Sequence, residues 1–260
     1  MAVAAKTSAL NHFWRIVATG LSFLVFGLGG VLIGLLAYPV LLLLTHKDNR
    51  YRFGQALVHY VFKAFVWFMK SLGIFTLEIH HQERLKPANQ FFIANHPTLI
   101  DVVILLSLIK ESDCVVNARL ARNVVTKGPL LATGYIENNE AEELIDTCVK
   151  RLQSGRNLLI FPEGTRTKQL DRLKFKRGVS LIALKSGHNI TPIYINCQPR
   201  MLAKGQKWYK IPRSKPHFTI RVGEQLPTQD LLEYGKVLSI QSRQLNKELL
   251  NHYYEELNIG

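Results

Sequence analysis

Two short polar stretches hold the side-chain types that acid–base chemistry requires. The first, residues 95–101, reads Asn-His-Pro-Thr-Leu-Ile-Asp and follows an apolar run that predicts a strand. His96 and Asp101 are five residues apart, and on a continuous helix that spacing would turn them about 140° away from each other. Pro97 suits the first position of a helix, however, so His96 would lie just outside the helix and its ring could turn back toward Asp101.

Such a pair could remove a proton from a substrate hydroxyl. A carboxylate bonded to one imidazole nitrogen fixes the tautomer, stabilises the imidazolium and leaves the other nitrogen as a general base. No Ser or Cys is required if the substrate hydroxyl is itself the nucleophile. The spacing alone is a weak signal, and a histidine that starts a helix and bonds to backbone is the alternative.

The second stretch, residues 161–166, reads Phe-Pro-Glu-Gly-Thr-Arg and ends a strand predicted over residues 157–161. Ligands of open α/β sheets gather beyond the carboxyl ends of strands. Gly164 permits a sharp turn or the close approach of a ligand, and Arg166 offers a planar fork suited to phosphate. Glu163 could hold Arg166 or bind an acceptor hydroxyl. A tight turn with a surface ion pair is the alternative.

The surrounding elements alternate between strand and helix, which predicts a layered α/β fold. Strands are predicted at residues 74–80, 90–94, 114–117, 157–161, 190–195 and 218–222. Helices are predicted at residues 97–108, 141–152 and 178–185, and a long one follows Thr228 with an apolar stripe from Leu231 to Tyr253.

Residues 16–45 form an uncharged run of 30 residues rich in Leu, Val, Phe and Gly. A helix that spans a bilayer needs about 20 such residues, whereas a secretory signal has an apolar stretch of about 7–15. We therefore expect a membrane helix. Its glycines and Pro39 could kink it or make it re-entrant, and a buried core helix is the other alternative. Basic residues after it favour the cytoplasm for its C-terminal side.

The next stretch, residues 52–70, predicts a helix at the boundary between headgroups and acyl chains. Its basic stripe is spaced to share one face and consists of Arg52, His59, Lys63 and Lys70. Apolar residues cover the remaining surface, as in interfacial helices. A core helix with a solvated stripe is the alternative. We expect residues 1–70 to hold the membrane-embedded and interfacial helices and residues 71–260 to form the catalytic domain.

Composition narrows the class of protein further. The 260 residues include 33 Lys and Arg against 19 Asp and Glu, a net charge of +14, and 47% are apolar, which excludes a disordered chain. Cys114, Cys148 and Cys197 lack paired spacing, which argues against a disulfide scaffold or a zinc ribbon and favours a reducing compartment. The basic excess requires an anionic partner.

Taken together, the two motifs resemble the lysophospholipid acyltransferases, and most closely the 1-acylglycerol-3-phosphate O-acyltransferase family. Residues 175–178 (Phe-Lys-Arg-Gly), 190–194 (Ile-Thr-Pro-Ile-Tyr) and 222–224 (Val-Gly-Glu) resemble further elements of that family, so the resemblance spans residues 74–226. It implies an α/β fold of the glycerophosphate acyltransferase type, with a layered mixed sheet flanked by helices and with N-terminal membrane helices.

The resemblance also implies roles for the motif residues. His96 would be the general base, and Asp101 would orient it. The polar head of a lysophospholipid acceptor would be bound by Glu163, Gly164, Thr165 and Arg166. The acceptor hydroxyl would attack the thioester of acyl-CoA or acyl-carrier protein, and neither a metal nor another cofactor would be needed. The catalytic domain would lie on the cytoplasmic face of a membrane, as in a bacterial inner membrane.

One stretch departs from the family pattern. Where the family has a Gly-x-x-Phe/Ile-x-Arg element whose Arg contributes to phosphate binding, residues 134–139 read Gly-Tyr-Ile-Glu-Asn-Asn. No Arg is present, and Glu137 would repel a phosphate. The first candidate acceptor is 1-acylglycerol-3-phosphate, which would give phosphatidate. A zwitterionic lysolipid, an aminoacyl lipid or another hydroxylated lipid is the alternative.

A second basic cluster remains, and other functions compete with acyl transfer. The cluster consists of Arg200, Lys204, Lys207, Lys210, Arg213 and Lys215, with Trp208 and Tyr209 among them. It suits an anionic leaflet or an acidic acyl-carrier protein, and a solvated loop is the alternative. Nucleic acid is not expected, since no binding signature for it is present. The competing functions are a non-catalytic, membrane-tethered lipid-binding protein and a thioester hydrolase.

Overall fold

A computed structural model describes residues 8–44, 46–168, 173–228 and 237–258. Its helices are α1 (Ala9–Leu32), α2 (Tyr38–Leu44), α3 (Lys47–Ser71), α4 (Asp101–Leu108), α5 (Val124–Thr133), α6 (Ala141–Gln153), α7 (Gly178–Ser186) and α8 (Leu238–Glu256). Its strands are β1 (Thr76–His80), β2 (Phe91–Ala94), β3 (Ser112–Val116), β4 (Ile136–Glu137), β5 (Asn157–Ile160), β6 (Ile190–Gln198) and β7 (His217–Val222). A π-helical segment, Ile33–Ala37, joins α1 to α2.

The seven strands form one mixed sheet in the order β1-β7-β6-β2-β5-β3-β4. Neighbouring strands are parallel except β6 and β7, which are antiparallel. β2 lies at the centre between β6 and β5, and all four of its residues are buried. A parallel strand covered on both faces needs a continuous apolar run, as the Phe-Phe-Ile-Ala sequence of β2 provides. The predicted α/β fold with a mixed sheet and flanking helices is confirmed.

Helices cover both faces of the sheet. On one face, which we call the α4 face, Phe65 of α3 and Ile104 of α4 pack with Phe92 of β2. On the opposite face, the α8 face, residues of α6, α7 and α8 pack with Phe91 of β2, among them Leu245. Successive residues of β2 thus point to opposite faces, as the pleat of a strand requires.

Helix α1 lies on the α4 face, where Ala18 is part of the core. The guanidinium of Arg15 is buried and donates hydrogen bonds to the carbonyl oxygens of residues 212–214 in the β6–β7 loop. Residues Ala9–Leu43 form, within the described chain, one helix long and apolar enough to cross a membrane, and an 18-residue stretch of it has a mean hydropathy of 2.3. Only 28% of that 18-residue stretch is buried, so most of it faces outward.

Close backbone contacts hold α1 and the π-helical segment that follows it against α5. Pro129 has no N–H to donate, so the carbonyl of Val125 one turn earlier is free for another contact. A Cβ on Gly30 would lie 2.1 Å from that carbonyl oxygen, and a Cβ on Gly128 would lie 2.2 Å from the Cα of Gly34. Only glycine fits at these positions, and such small-residue contacts are typical of helix pairs in membranes.

Helix α3 differs from the predicted interfacial helix. Val58 and Met69 are buried, and the ring of His59 is buried with its Nδ1 3.0 Å from the carbonyl oxygen of Leu106 in α4. His59 therefore does not belong to a solvated basic stripe. The exposed side of α3 carries large aromatic residues, namely Phe53, Tyr60 and Trp67. The division of the chain between residues 70 and 71 stays a prediction.

The ends of several elements also differ from the sequence patterns. The helix predicted from Pro97 begins at Asp101, because the residues before it form a turn. The last helix begins at Leu238, while Leu231 lies outside the described residues. Helix α5 and the two-residue strand β4 were not predicted. α5 contains a Gly-Pro pair, which usually marks a loop, and β4 is too short for a periodicity.

We expect Gly30→Ala to destabilise the protein by roughly 1–3 kcal/mol, because the new methyl group overlaps the Val125 carbonyl. Thermal unfolding in detergent measures this loss as a lower Tm. Gly29→Ala is the matched control, since nothing lies within 4 Å of its Cβ position. It should leave the protein unchanged or stabilise the helix by up to about 1 kcal/mol. Equal Tm values for the two variants would contradict the packing of α1 on α5.

Candidate active site

The two polar motifs lie side by side at one edge of the sheet. β2 and β5 are parallel neighbours with Ile93 opposite Ile160, so the chain leaves both strands at the same edge. The backbone N–H of His96 donates to Oε1 of Glu163 over 3.1 Å. The backbone N–H of Thr167 donates to the carbonyl oxygen of His96 over 2.9 Å. Motifs that are 67 residues apart in the sequence are thus bonded directly to each other.

His96 and Asp101 form a hydrogen-bonded pair. Nδ1 of His96 lies 2.9 Å from Oδ2 of Asp101, and the Asp101 side chain is fully buried. The same Oδ2 accepts from the backbone N–H of Thr98 over 2.7 Å, and Oδ1 accepts from the Thr98 hydroxyl. The turn before α4 allows this meeting, because it places His96 and Thr98 on the same side as the first residue of the helix. Three donors therefore orient the buried carboxylate.

The ring of His96 presents its second nitrogen outward. The ring packs on Phe161 with centroids 4.4 Å apart, and 14% of the His96 side chain is exposed. In the described part of the chain, no group hydrogen-bonds to its Nε2. A carboxylate at Nδ1 favours the tautomer with the proton on Nδ1, which leaves a lone pair on Nε2. The ring can therefore accept a proton from a group that arrives at this edge.

Asn95 and Tyr253 brace the end of β2. The Asn95 side chain donates to the carbonyl oxygen of Ile195 over 2.8 Å and accepts from its N–H over 2.7 Å, as a paired strand residue would. The Tyr253 hydroxyl donates to the carbonyl oxygen of Ile93 over 2.6 Å and accepts from the N–H of Ile193 over 3.3 Å. Sequence reasoning assigned Tyr253 only to an apolar stripe and did not detect this role, since the contact spans 160 residues.

Glu163 stabilises the junction of the two loops. Its carboxylate accepts from the His96 backbone N–H and from the Thr167 hydroxyl, and no ion pair with Arg166 is found among the described residues. The hypothesis that Glu163 holds Arg166 is therefore wrong. Burial raises the pKa of Glu163, and the hydrogen bonds from Thr167 and His96 oppose that shift.

Gly164 is required by the turn after β5. Its φ of 68° lies in the left-handed region, and a Cβ there would lie 2.7 Å from Cε and Nζ of Lys176. The turn thus brings the Lys176 side chain, part of the predicted Phe-Lys-Arg-Gly element, against the motif. Thr165 is exposed at the outer side of the turn. A positive charge therefore lies beside the backbone of the turn.

Arg166 is held by the β6–β7 loop. One terminal nitrogen, Nη1, donates to the carbonyl oxygens of Leu202 and Ala203 over 3.0 and 3.3 Å. Within the described residues, Nε and Nη2 have no hydrogen-bond acceptor. The guanidinium is thus fixed at one corner and retains donors for an anion.

The stretch that departs from the family pattern lies farther along the same edge. Glu137 ends β4 and is opposite Val116 of β3, which is itself beside β5. Since neighbouring strands are about 4.8 Å apart, β4 lies about 14 Å from β2. Glu137 is exposed, and its carboxylate accepts from the Asn139 amide over 3.5 Å.

Residues 76–196 match the family model described as Acyltransferase. The matched range starts with β1 and contains both motifs. Over this range the chain is similar to the acyltransferase family. The resemblance drawn from the motifs is therefore confirmed over this range.

Relatives and a solved structure agree with this assignment. The chain is 28% identical over 178 residues to the 1-acyl-sn-glycerol-3-phosphate acyltransferase of Helicobacter pylori. The matched stretch covers 64% of this chain and 70% of that protein. The chain is 24% identical over 179 residues to the human 1-acyl-sn-glycerol-3-phosphate acyltransferase beta, covering 64% of this chain and 62% of the human protein. The chain thus spans less than two thirds of the human relative.

The crystal structure of the 1-acyl-sn-glycerophosphate acyltransferase PlsC from Thermotoga maritima has a similar fold, with a TM-score of 0.65. The superposition covers 94% of this chain and 97% of that one. The sequences are 18% identical, so this likeness shows the fold alone. Because it covers nearly the whole chain, the N-terminal helices belong to the shared architecture.

Because the pKa of Glu163 is raised in the folded protein, its ionisation lowers the stability once the pH exceeds the pKa in the unfolded chain. This part of the stability is present at acid pH and is lost as the pH rises through the raised pKa. Glu163→Gln keeps an acceptor oxygen and removes the charge. We expect the Tm of this variant to increase relative to the Tm of the wild type as the pH rises from about 4 to 7.

Thermal unfolding of both proteins across this pH range tests the expectation. Glu248→Gln, on the exposed side of α8, is the matched control and should differ from the wild type by the same amount at every pH. A Tm difference between Glu163→Gln and the wild type that does not change with pH would show that ionisation of Glu163 costs no stability.

Proposed function

We propose that the protein is an O-acyltransferase that moves a fatty acyl chain from acyl-CoA or acyl-carrier protein to a hydroxyl of a lysophospholipid. The pairing of His96 with the buried carboxylate of Asp101 carries this proposal, because it leaves Nε2 as a base at an open edge of the sheet. The family matched by residues 76–196 and the names of the relatives support the class of reaction.

The proposed mechanism is general-base catalysis. The acceptor hydroxyl donates its proton to Nε2 of His96 while its oxygen forms a bond to the thioester carbonyl carbon. The resulting imidazolium is stabilised by Asp101, which Thr98 holds in place. Collapse of the tetrahedral intermediate breaks the C–S bond, and the imidazolium returns the proton to the leaving thiolate. Because a hydroxyl ionises far above pH 7, the base and the proximity of the reactants provide most of the acceleration.

The polar head of the acceptor is proposed to bind at the turn formed by residues 163–166. Arg166 retains donors that suit a phosphate, and Lys176 adds a positive charge beside Gly164. Glu163 acts by stabilising the turn. This distribution of charge favours 1-acylglycerol-3-phosphate as the acceptor and phosphatidate as the product, in accord with the names of both relatives.

A different hydroxylated lipid is the second candidate acceptor. Glu137 is exposed at the same edge of the sheet and would repel a second anionic group there, whereas it would attract a cationic one. A zwitterionic head group could place its phosphate near Arg166 and its amine near Glu137 of β4. A non-catalytic lipid-binding protein remains the alternative if no transfer is observed.

We further propose that the catalytic domain lies on the cytoplasmic face of a membrane. The apolar span Ala9–Leu43 supports attachment to a bilayer. Arg50 and Arg52 follow this span in the sequence, and an excess of basic residues is typical of the cytoplasmic side.

His96→Ala should lower kcat for acyl transfer by about 10²- to 10⁴-fold, because the variant lacks the base. The assay uses purified membranes, acyl-CoA and acyl-carrier protein as donors, and a panel of lysolipids as acceptors. His80→Ala, at an exposed position of β1, is the control and should retain full activity. Release of free fatty acid without an acceptor would identify a hydrolase. An active His96→Ala variant would rule out the proposed mechanism.

Glu137→Arg should raise the ratio of kcat/KM for 1-acylglycerol-3-phosphate to kcat/KM for a zwitterionic lysolipid by roughly fivefold, as expected for reversing one charge near a solvated phosphate. Glu137→Gln should give a smaller change in the same direction. The ratio of the two kcat/KM values in membranes is the measurement. If neither substitution changes that ratio, Glu137 does not contribute to selection of the head group.

A further inference from the structure

The loop between β6 and β7 is strongly basic. We call residues 199–216 the strap. It contains no acidic residue, and its basic residues are Arg200, Lys204, Lys207, Lys210, Arg213 and Lys215. Over the described part of the chain, none of its four lysines forms an ion pair with a carboxylate. Such a concentration of positive charge can bind an external anion.

One end of the strap is attached to α1. The buried guanidinium of Arg15 donates to the carbonyl oxygens of residues 212–214. The ring of Trp208 covers Gly20, whose Cβ position would be 3.1 Å from Cζ3 of the indole, and lies 6.2 Å from the ring of Phe23. The strap therefore runs alongside the apolar helix instead of extending into solvent.

The exposed surfaces of the strap and of α1 are continuous. Trp208 and Tyr209 are 46% and 43% exposed, and the ammonium of Lys207 lies 5.7 Å from the centre of the Tyr209 ring. The neighbouring part of α1 exposes Leu21, Leu24 and Leu28. An apolar helix bordered by aromatic residues and then by lysines matches the order of acyl chains, headgroup layer and anionic surface in a bilayer.

The other end of the strap holds both motif loops. The carbonyl oxygen of Leu202 accepts from Nη1 of Arg166 over 3.0 Å and from the backbone N–H of Leu99 over 3.1 Å. The guanidinium of Arg200 donates to the carbonyl oxygens of Pro97, Thr167 and Lys168. The same segment thus contacts the membrane helix, the loop that carries His96 and the loop that carries Arg166.

We propose that the strap is a docking surface for the anionic headgroups of a phospholipid bilayer and that it holds the two motif loops at that surface. Lys207 and Lys210 contact lipid phosphates, and Trp208 and Tyr209 enter the headgroup layer. The bilayer is favoured over an acidic protein because the basic surface continues into the apolar face of α1. Docking requires no acyl transfer, so its test is independent of the proposed function.

The experiment uses Trp208 of the full chain as the probe. Trp14 and Trp67 are replaced by Phe, which leaves Trp208 as the only tryptophan. The protein is reconstituted into vesicles of chain-brominated phosphatidylcholine with increasing phosphatidylglycerol. We expect quenching of Trp208 fluorescence to increase with phosphatidylglycerol and to decrease with added salt, because salt screens the attraction. Equal quenching at all phosphatidylglycerol contents would overturn the proposal.

Charge reversal then tests the strap itself. The double variant Lys207→Glu with Lys210→Glu should reduce the phosphatidylglycerol-dependent increase in Trp208 quenching by at least about tenfold, since each basic residue near an anionic leaflet strengthens binding several-fold. The matched control, Arg243→Glu with Lys247→Glu, makes the same change in net charge on α8 at the opposite face of the sheet and should respond as the wild type does. Lys207→Ala with Lys210→Ala, which adds no acidic group, should give an intermediate loss.

Two outcomes would contradict the strap as a lipid-docking surface. If the α8 variant lost as much of the response as the strap variant, net charge rather than the strap would be responsible. If the strap variant kept its response to phosphatidylglycerol but had a raised KM for acyl-carrier protein, the strap would dock an acidic donor protein instead.

Discussion

The arrangement of the site depends on one buried carboxylate. Asp101 has no exposed surface, and a buried charge is tolerated only when its oxygens are hydrogen-bonded. Its donors are the backbone and hydroxyl of Thr98 and the ring of His96. Satisfying all three requires a turn before α4 in place of a first helical turn. The same turn directs the histidine ring outward, so the need to stabilise a buried charge also creates the candidate base.

The scaffold around this pair is built from contacts between distant parts of the chain. The parallel pairing of β2 and β5 brings the His96 and Glu163 loops to one edge, and their backbones are then joined by hydrogen bonds. Asn95 extends the pairing of β2 with β6, and Tyr253 bridges the same two strands from α8. The position of the histidine is thus fixed by pairing within the sheet and by a contact from α8 on one face.

The N-terminal helices are joined to this scaffold at two places. Glycine contacts bring α1 against α5, and Arg15 attaches α1 to the strap. The strap in turn holds Arg166 through the carbonyl of Leu202. A continuous series of contacts therefore runs from the apolar helix to the loop proposed to bind the head group. The proposed attachment to a bilayer and the geometry of the site therefore depend on the same structural elements.

The sequence by itself determined the α/β class and the long apolar span, and it identified His96 and Asp101 as a candidate pair, because these follow from local periodicity and from residue types at short spacing. The turn before α4 that lets the two side chains meet is seen only in the tertiary structure. Only the tertiary structure decided that Glu163 binds the His96 backbone, that carbonyls of the strap hold Arg166, that His59 is buried and that α5 exists despite its Gly-Pro pair. Each of these depends on which distant backbone group lies nearby. Local pattern cannot supply that information, because buried donors and acceptors find their partners through the packing of the whole chain.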